Sequence, residues 1–226
     1  GIAKVLHESA TAMASLIQKK RDTVWGFILK NIYKPLFLKN QKFDVLIGNP
    51  PWISYRYIES IDYQNYLKEL IIDDYDLLDS AKVELITQME IATLFFLRTF
   101  DLYLNKRGKI SFVMPRSIFV SDQHHNFRSA SYSLNAGIFG LIDLENVTPL
   151  FKVPSCVVFG RRGEKAKFPI EGQKVNGVLP RKNVKLEEAC ELLNFSKRDF
   201  QLYTIGGRSF IETDEFSKVL KIMDSG

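Results

Sequence analysis

The feature that most constrains this chain is a short apolar run that ends in two consecutive prolines, Phe43-Asp44-Val45-Leu46-Ile47-Gly48-Asn49-Pro50-Pro51-Trp52. Such a run predicts a fully buried strand of a parallel sheet. The strand must stop at the prolines, because neither has a backbone N–H to donate. A rigid turn carrying an amide and an indole therefore follows the carboxyl end of the strand, where open α/β sheets bind their ligands.

Two stretches carry a family resemblance. Asn49-Pro50-Pro51-Trp52 resembles motif IV, the Asp/Asn/Ser-Pro-Pro-aromatic signature of amino-group DNA methyltransferases, whose N6-adenine members commonly have asparagine. Met114-Pro115-Arg116-Ser117-Ile118-Phe119 resembles the segment after the long helix in large adenine methylases of restriction–modification and phage-defence systems. The resemblance covers Phe43 through about Arg162.

The resemblance implies a reaction and a role for each residue of the turn. The exocyclic amine of adenine is a poor nucleophile, and two acceptors aimed at its hydrogens would stabilise the charge that develops as it attacks a methyl sulfonium. Asn49 offers its side-chain oxygen and Pro50 its carbonyl, held rigid with the help of Pro51. Trp52 would stack on the flipped base. The implied cofactor is S-adenosylmethionine, and the implied partner is double-stranded DNA.

The order of the elements downstream predicts the fold class. Apolar spacing indicates a long helix, a strand ending at proline, a weaker helix and two strands joined by a short connection (Val83–Leu104, Lys109–Pro115, Asp122–Leu134, Phe139–Leu144 and Ser155–Gly160). The short connection favours an antiparallel pair. We expect an α/β fold: the second half of a Rossmann-like methyltransferase sheet with a closing antiparallel pair, then the start of a further α+β region.

Three regions are expected along the chain. Residues 1–42 are a helical spacer, residues 43–162 the catalytic half of a methyltransferase domain, and residues 163–226 a linker and the start of a target-recognition region. In the last region, Leu186–Leu193 predicts a short helix, and Phe200–Phe210 a strand pair turned at Gly206-Gly207. Lys106-Arg107-Gly108 is expected to be a solvated connection.

The first 42 residues contain no Gly-x-Gly of the kind that cradles the cofactor in the family. The chain is therefore expected to be an inactive fragment that lacks most of the cofactor pocket. The Phe43–Gly48 strand would lose a neighbour and become an apolar edge that invites self-association.

Other side chains give weaker indications. Tyr55 and Arg56 follow the turn, and Arg116 and Ser117 follow the second strand, so all four are expected to contact DNA. The adjacent His124 and His125 would point to different faces of a helix. Asp143 and Glu145 do not join a recognisable nuclease pattern.

Composition adds bounds without deciding the function. A net charge of +5 permits a polyanionic partner. Cys156 and Cys190 lack metal-ligand spacing, so no metal is expected, and no apolar run is long enough for a membrane span. A cytoplasmic location is expected.

Two alternatives remain open from the sequence. Protein-glutamine methyltransferases also use Asn-Pro-Pro-aromatic, because an amide nitrogen resembles the adenine amine. A non-catalytic DNA-binding or specificity module would keep the fold without the cofactor motif. The tryptophan, the Tyr-rich segment after it and the basic segment near residues 161–185 favour DNA methylation.

Overall fold

The computed structural model describes residues 7–8, 10–12, 14–15, 38, 41–145, 147–148, 150–163, 174–180, 184–185, 195–205 and 207–211. The chain divides into two compact units, Gly1–Lys42 and Phe43–Gly226. In the first unit, the described residues between His7 and Ser15 are helical. The rest of the predicted spacer, and the helix predicted at Leu186–Leu193, lie outside the described residues.

The second unit is built on a sheet of seven strands. Its strands and those of a separate two-stranded pair are β1 (Phe43–Gly48), β2 (Leu104–Pro115), β3 (Ala136–Asp143), β4 (Val147–Thr148), β5 (Ser155–Arg162), β6 (Lys174–Pro180), β7 (Val184–Lys185), β8 (Phe195–Ile205) and β9 (Arg208–Ile211). The order in the sheet is β1-β2-β5-β3-β6-β8-β9, and β4 pairs with β7 in parallel.

The pairing confirms the predicted sheet. β1 runs parallel to β2, and β5 lies between β2 and β3, antiparallel to both. The short connection from β3 to β5 thus closes an antiparallel pair, as its length requires. The ends of β1, β2 and β3 and the start of β5 all lie at one edge of the sheet. We call this edge the carboxyl-end rim.

The strands after residue 162 differ from expectation. We expected a separate region there, but β6 pairs in parallel with β3, and β8 and β9 continue the same sheet. The strand pair predicted around Gly206-Gly207 is present, and Gly207 has φ +76°, a conformation that favours glycine.

The helices are shorter than the apolar spacing predicts. They are α1 (Ile61–Glu69), continued by a π-helical turn (Leu70–Asp74), α2 (Ala92–Tyr103), α3 (His125–Arg128), and 3₁₀ segments at Tyr55–Tyr57, Ser80–Gln88, Arg116–Phe119 and Asp122–His124. Among the described residues, none of these helices is long and apolar enough to span a membrane.

Tertiary pairing explains the differences. The single helix predicted at Val83–Leu104 is wrong, because the backbone at Glu90 forms a β-bridge with Ser54 and interrupts it. The second strand begins at Leu104 rather than Lys109, so Lys106–Gly108 belong to β2 and not to a connection. The weaker helix ends at Arg128, and Ala130 then takes φ +52°.

The core lies between α2 and one face of the sheet. Phe96 packs edge-to-face against Phe100, Phe112 and Phe127, with ring centroids 5.0, 5.8 and 5.5 Å apart. Gly160 of β5 leaves room for these rings, since an added Cβ would overlap Phe100.

The other face of β1 is open, contrary to the fully buried strand expected. Val45 is 59% exposed and Ile47 82% exposed. The reason is the strand's place at the edge of the sheet, where β2 is its one partner among the described residues.

Candidate functional site

The proline turn leaves β1 at the carboxyl-end rim. The strand ends at Gly48, opposite Phe112 of β2. A Cβ added at Gly48 would lie 2.9 Å from Cε1 of Phe112, so glycine allows the ring to sit against the strand end. Pro50 is buried, whereas Asn49 is exposed. The turn therefore anchors itself through a proline and presents the amide of Asn49 at the rim.

Trp52 is held by two contacts. Its Nε1–H donates to the carbonyl oxygen of Val113 over 3.2 Å, and its ring meets Phe151 edge-on, with centroids 4.8 Å apart and planes at 60°. The indole thus supplies β2 with a donor at the point where Pro50 and Pro51 have no N–H. A hydrogen bond and a ring contact together fix its orientation.

The residues after Trp52 are tied to the segment before α2. The N–H of Tyr55 donates to Met89 O over 2.9 Å, and the N–H of Ile91 donates to Ile53 O over 3.1 Å. Tyr55 is buried, and its hydroxyl donates to Gln64 O over 2.8 Å. Burial raises the pKa of this hydroxyl. Arg56 is exposed, with its guanidinium 5.2 Å from the centre of the Tyr57 ring.

Glu90 joins the two halves of the rim. While its backbone pairs with Ser54, its carboxylate accepts from Ser117 Oγ at 2.9 Å and from His124 Nε2 at 2.7 Å. Burial by itself would raise the pKa of Glu90, but the hydrogen bond and charge of His124 and the hydrogen bond from Ser117 lower it to about 2. Burial lowers the pKa of His124, so we assign a neutral ring that donates from Nε2.

Sequence reasoning missed Glu90. The residue lies between Met89 and Ile91 in what the apolar spacing predicts as one helix, where a single carboxylate usually faces solvent. The two histidines do point in different directions, as predicted: His124 meets Glu90, and His125 Nδ1 lies 2.8 Å from Ser209 Oγ.

Arg116 is committed to carboxylates at the end of β2. Its Nε donates to Asp143 Oδ1 and Oδ2 over 3.0 and 3.1 Å, and its Nη2 lies 2.7 Å from Glu145 Oε2. The side chain is 12% exposed and that of Asp143 1%. This ion pair accounts for the two carboxylates, and no cluster that could hold a metal occurs within the described ranges.

Arg128 is a second residue that the sequence did not single out. Its Nη1 donates to Ile118 O and Ser121 O over 2.7 and 2.8 Å, and its Nε donates to Ser209 O over 3.0 Å. Burial lowers its pKa to about 10. The guanidinium thereby joins β9 to the segment after β2.

The opposite end of β2 carries a basic cavity of about 880 Å³. Its lining comprises five cationic side chains with Asn135 and Gly163 (Lys106, Arg107, Lys109, Arg161 and Arg162). Arg162 Nη1 donates to three carbonyls at the end of α2, those of Phe100, Asp101 and Leu104. The cavity lies a strand's length from the turn at Asn49, so the two are separate features.

Residues 6–151 match the family model described as Eco57I restriction-modification methylase. None of the curated proteins matches. The structure is similar to that of DrdV in its DNA complex, with 14% identity over 76% of this chain and 18% of that chain, and a TM-score of 0.51. The ATP-dependent Type ISP restriction-modification enzyme LlaBIII, bound to DNA, has 11% identity over 80% and 14% of the two chains, with a TM-score of 0.49.

This chain therefore spans less than a fifth of either of those two proteins. At these identities, the likeness to DrdV concerns the fold alone.

Proposed function

The chain belongs to the Eco57I restriction-modification methylase family, and we propose that it forms the part of a DNA adenine methyltransferase that receives the target amine. The observation that carries the proposal is the turn at the end of β1. Asn49 is exposed at the carboxyl-end rim, and the indole of Trp52 is held beside it by Val113 and Phe151.

The turn would act on the amine through two acceptors. The side-chain oxygen of Asn49 and the carbonyl of Pro50 would accept the two hydrogens of the exocyclic nitrogen. Such acceptors favour the positive charge that develops during attack more than they favour the ground state. The prolines keep both oxygens in place, because the ring fixes φ at Pro50 and Pro51 and restricts the residue before each.

A target adenine must leave its duplex to reach this turn. Trp52 would replace part of the lost stacking, worth about 1–3 kcal/mol in other base–aromatic contacts. Its fixed orientation means that little side-chain entropy would be lost on stacking.

The methyl donor that the family implies is S-adenosylmethionine. The residues here do not fit its cradle: no Gly-x-Gly precedes Phe43, and the turn after β1 contains two prolines without N–H groups. The described residues therefore make up the amine side of the reaction. We place the donor side on a part of the full-length protein that pairs beyond β1, whose outer face is exposed at Val45 and Ile47.

Four residues were predicted to contact DNA, and each stays a prediction. Arg56 is the best placed of them, because its guanidinium is exposed on the segment after Trp52. Tyr55, Arg116 and Ser117 already bond to Gln64, to Asp143 and Glu145, and to Glu90. Their contribution to DNA binding would be made through the shape of the rim.

The proposal is tested by replacing Asn49 with Ala in the full-length protein. The rate of single-turnover methylation of duplex DNA should fall on the order of 10²–10³-fold, the usual effect of losing one preorganised contact. DNA affinity should stay unchanged, since the contact strengthens mainly in the transition state. Asn65→Ala, at an exposed position of α1, is the matched control.

Three outcomes would contradict the proposal. Methylation that is unaffected by Asn49→Ala would remove the turn from the catalytic centre. Transfer of labelled methyl to a protein glutamine rather than to DNA would favour the glutamine methyltransferases. Specific DNA binding without any methyl transfer by the wild-type protein would indicate a specificity module.

A further inference from the structure

The segment Leu150–Pro154, between β4 and β5, exposes apolar side chains at the carboxyl-end rim. Phe151 is 46% exposed and Val153 50% exposed, and Lys152 between them is also exposed. Large apolar side chains are usually placed in the core, so this exposure indicates a surface that contacts something. The sequence pattern did not reveal it, because Phe151 reads as part of a short strand connection.

The exposed tip is nevertheless fixed in place. The carbonyl of Pro154 accepts from the N–H of Arg116 over 2.9 Å, and Ser155 then pairs with Pro115 at the end of β2. At the tip, the ring of Phe151 contacts Trp52, with centroids 4.8 Å apart. The segment is therefore positioned relative to the turn at Asn49 and does not merely lie near it.

We propose that Phe151 forms, with Trp52, the second aromatic wall that captures the flipped adenine. The inference rests on the proposed function. The two ring planes meet at 60° and so form an open corner. A flat base that stacks on the face of Trp52 would meet Phe151 edge-on, which is a preferred arrangement of aromatic pairs.

The chemistry of the segment fits DNA better than it fits a protein surface. A flipped base has a π face that any aromatic side chain can contact, whatever the flanking sequence. The positive charge of Lys152, next to Phe151, is attracted by a phosphate backbone. Phe151 would also keep water away from the amine, which strengthens its hydrogen bonds to Asn49 and Pro50.

The experiment uses the full-length protein and two DNA duplexes that differ at the target, one with adenine paired and one with adenine mispaired. Half-saturation and rate are measured in single turnover for Phe151→Ala and Phe151→Leu. On the paired target, both substitutions should weaken capture of the base on the order of 10-fold, because a leucine fills volume but offers no ring. The loss should shrink to about 3-fold or less on the mispaired target, whose extrusion costs less.

The comparison of the two duplexes separates base capture from a structural role. A substitution that merely displaced Trp52 or Asn49 would slow methyl transfer equally on both duplexes, and that result would overturn the inference. Wild-type behaviour of Phe151→Leu would overturn it too. Phe139→Leu is the matched control: Phe139 is 39% exposed and packs on Phe159, away from the turn.

Failure of this inference is distinguishable from failure of the proposed function. If Asn49→Ala abolishes methylation while Phe151→Ala is normal, the turn is catalytic and the second wall is wrong. If the wild-type protein does not methylate DNA, the proposed function is itself refuted, and this inference with it.

Discussion

Replacing Arg116 with Met should destabilise the chain by about 3–5 kcal/mol, the usual loss when a buried ion pair keeps one partner. The geometry supports a value in this range. The side chain of Asp143 is 1% exposed and receives both of its short guanidinium contacts, at 3.0 and 3.1 Å, from Arg116. Without Arg116, the N–H of Glu145, 3.1 Å from Oδ1, remains as its donor among the described residues.

The contact of Arg116 with Glu145 adds little to this loss. The side chain of Glu145 is 33% exposed, and ion pairs that water reaches contribute about 0–1 kcal/mol. The energy therefore comes from leaving Asp143 charged and buried. Methionine is chosen because it keeps the length and the apolar contacts of the arginine stem.

The assay is urea unfolding of four chains: wild type, Arg116→Met, Asp143→Asn and the double variant. The double variant should recover most of the loss seen in Arg116→Met, because it no longer buries an unpaired charge. Arg116→Met within 1 kcal/mol of wild type, or a double variant as unstable as Arg116→Met, would refute this reasoning.

The same variant tests whether Arg116 binds DNA. A direct phosphate contact would lower the slope of log K against log salt by about one when the arginine is removed from a normally folded protein. If that is the result, with stability unchanged, the ion pair described here is not what Arg116 is for.

Three further outcomes are expected. Unfolding free energy should fall as pH drops below about 6.5, the ordinary pKa of the buried His124, because that group takes up a proton only on unfolding; the slope is at most about 1.4 kcal/mol per pH unit, and His124→Gln should flatten the curve there. A second decline, from pH 4.5 towards 2, should follow from Glu90, whose lowered pKa stabilises the fold above that window, and Glu90→Gln should remove it. Sedimentation of the isolated chain should show self-association that Ile47→Lys abolishes, since Ile47 is 82% exposed on an edge strand; a monomeric wild type would refute it. Calorimetry should detect weak binding or none between the isolated chain and S-adenosylmethionine, and micromolar affinity would mean that the cofactor motifs have been misplaced.

The local parts of the fold were predictable because their signals are local. Two prolines end a strand wherever it lies, so the turn after Gly48 could be placed from the sequence. The connection between β3 and β5 is too short for a crossover helix, and the antiparallel pair followed from that length. The glycine pair near Gly207 likewise marked a turn between strands.

The helix boundaries were not predictable in the same way. Apolar spacing cannot distinguish a continuous helix from two helical pieces that bury the same face. The break at Glu90 depends on hydrogen bonds to Ile53 and Tyr55, which lie far from it in sequence. The length of β2 and the addition of β6 to the same sheet also depend on pairing with distant strands.

The sequence by itself thus determined the chemistry of the turn: an amide and a carbonyl held rigid by proline, with an indole beside them. Only the tertiary structure decided what surrounds that turn. Glu90, Arg116 and Phe151 reach it from three separate segments, and their ion pairs, hydrogen bonds and ring contacts have no sequence period that could announce them. The physical reason is that covalent constraints act between neighbours in the chain, whereas burial and charge pairing act between neighbours in space.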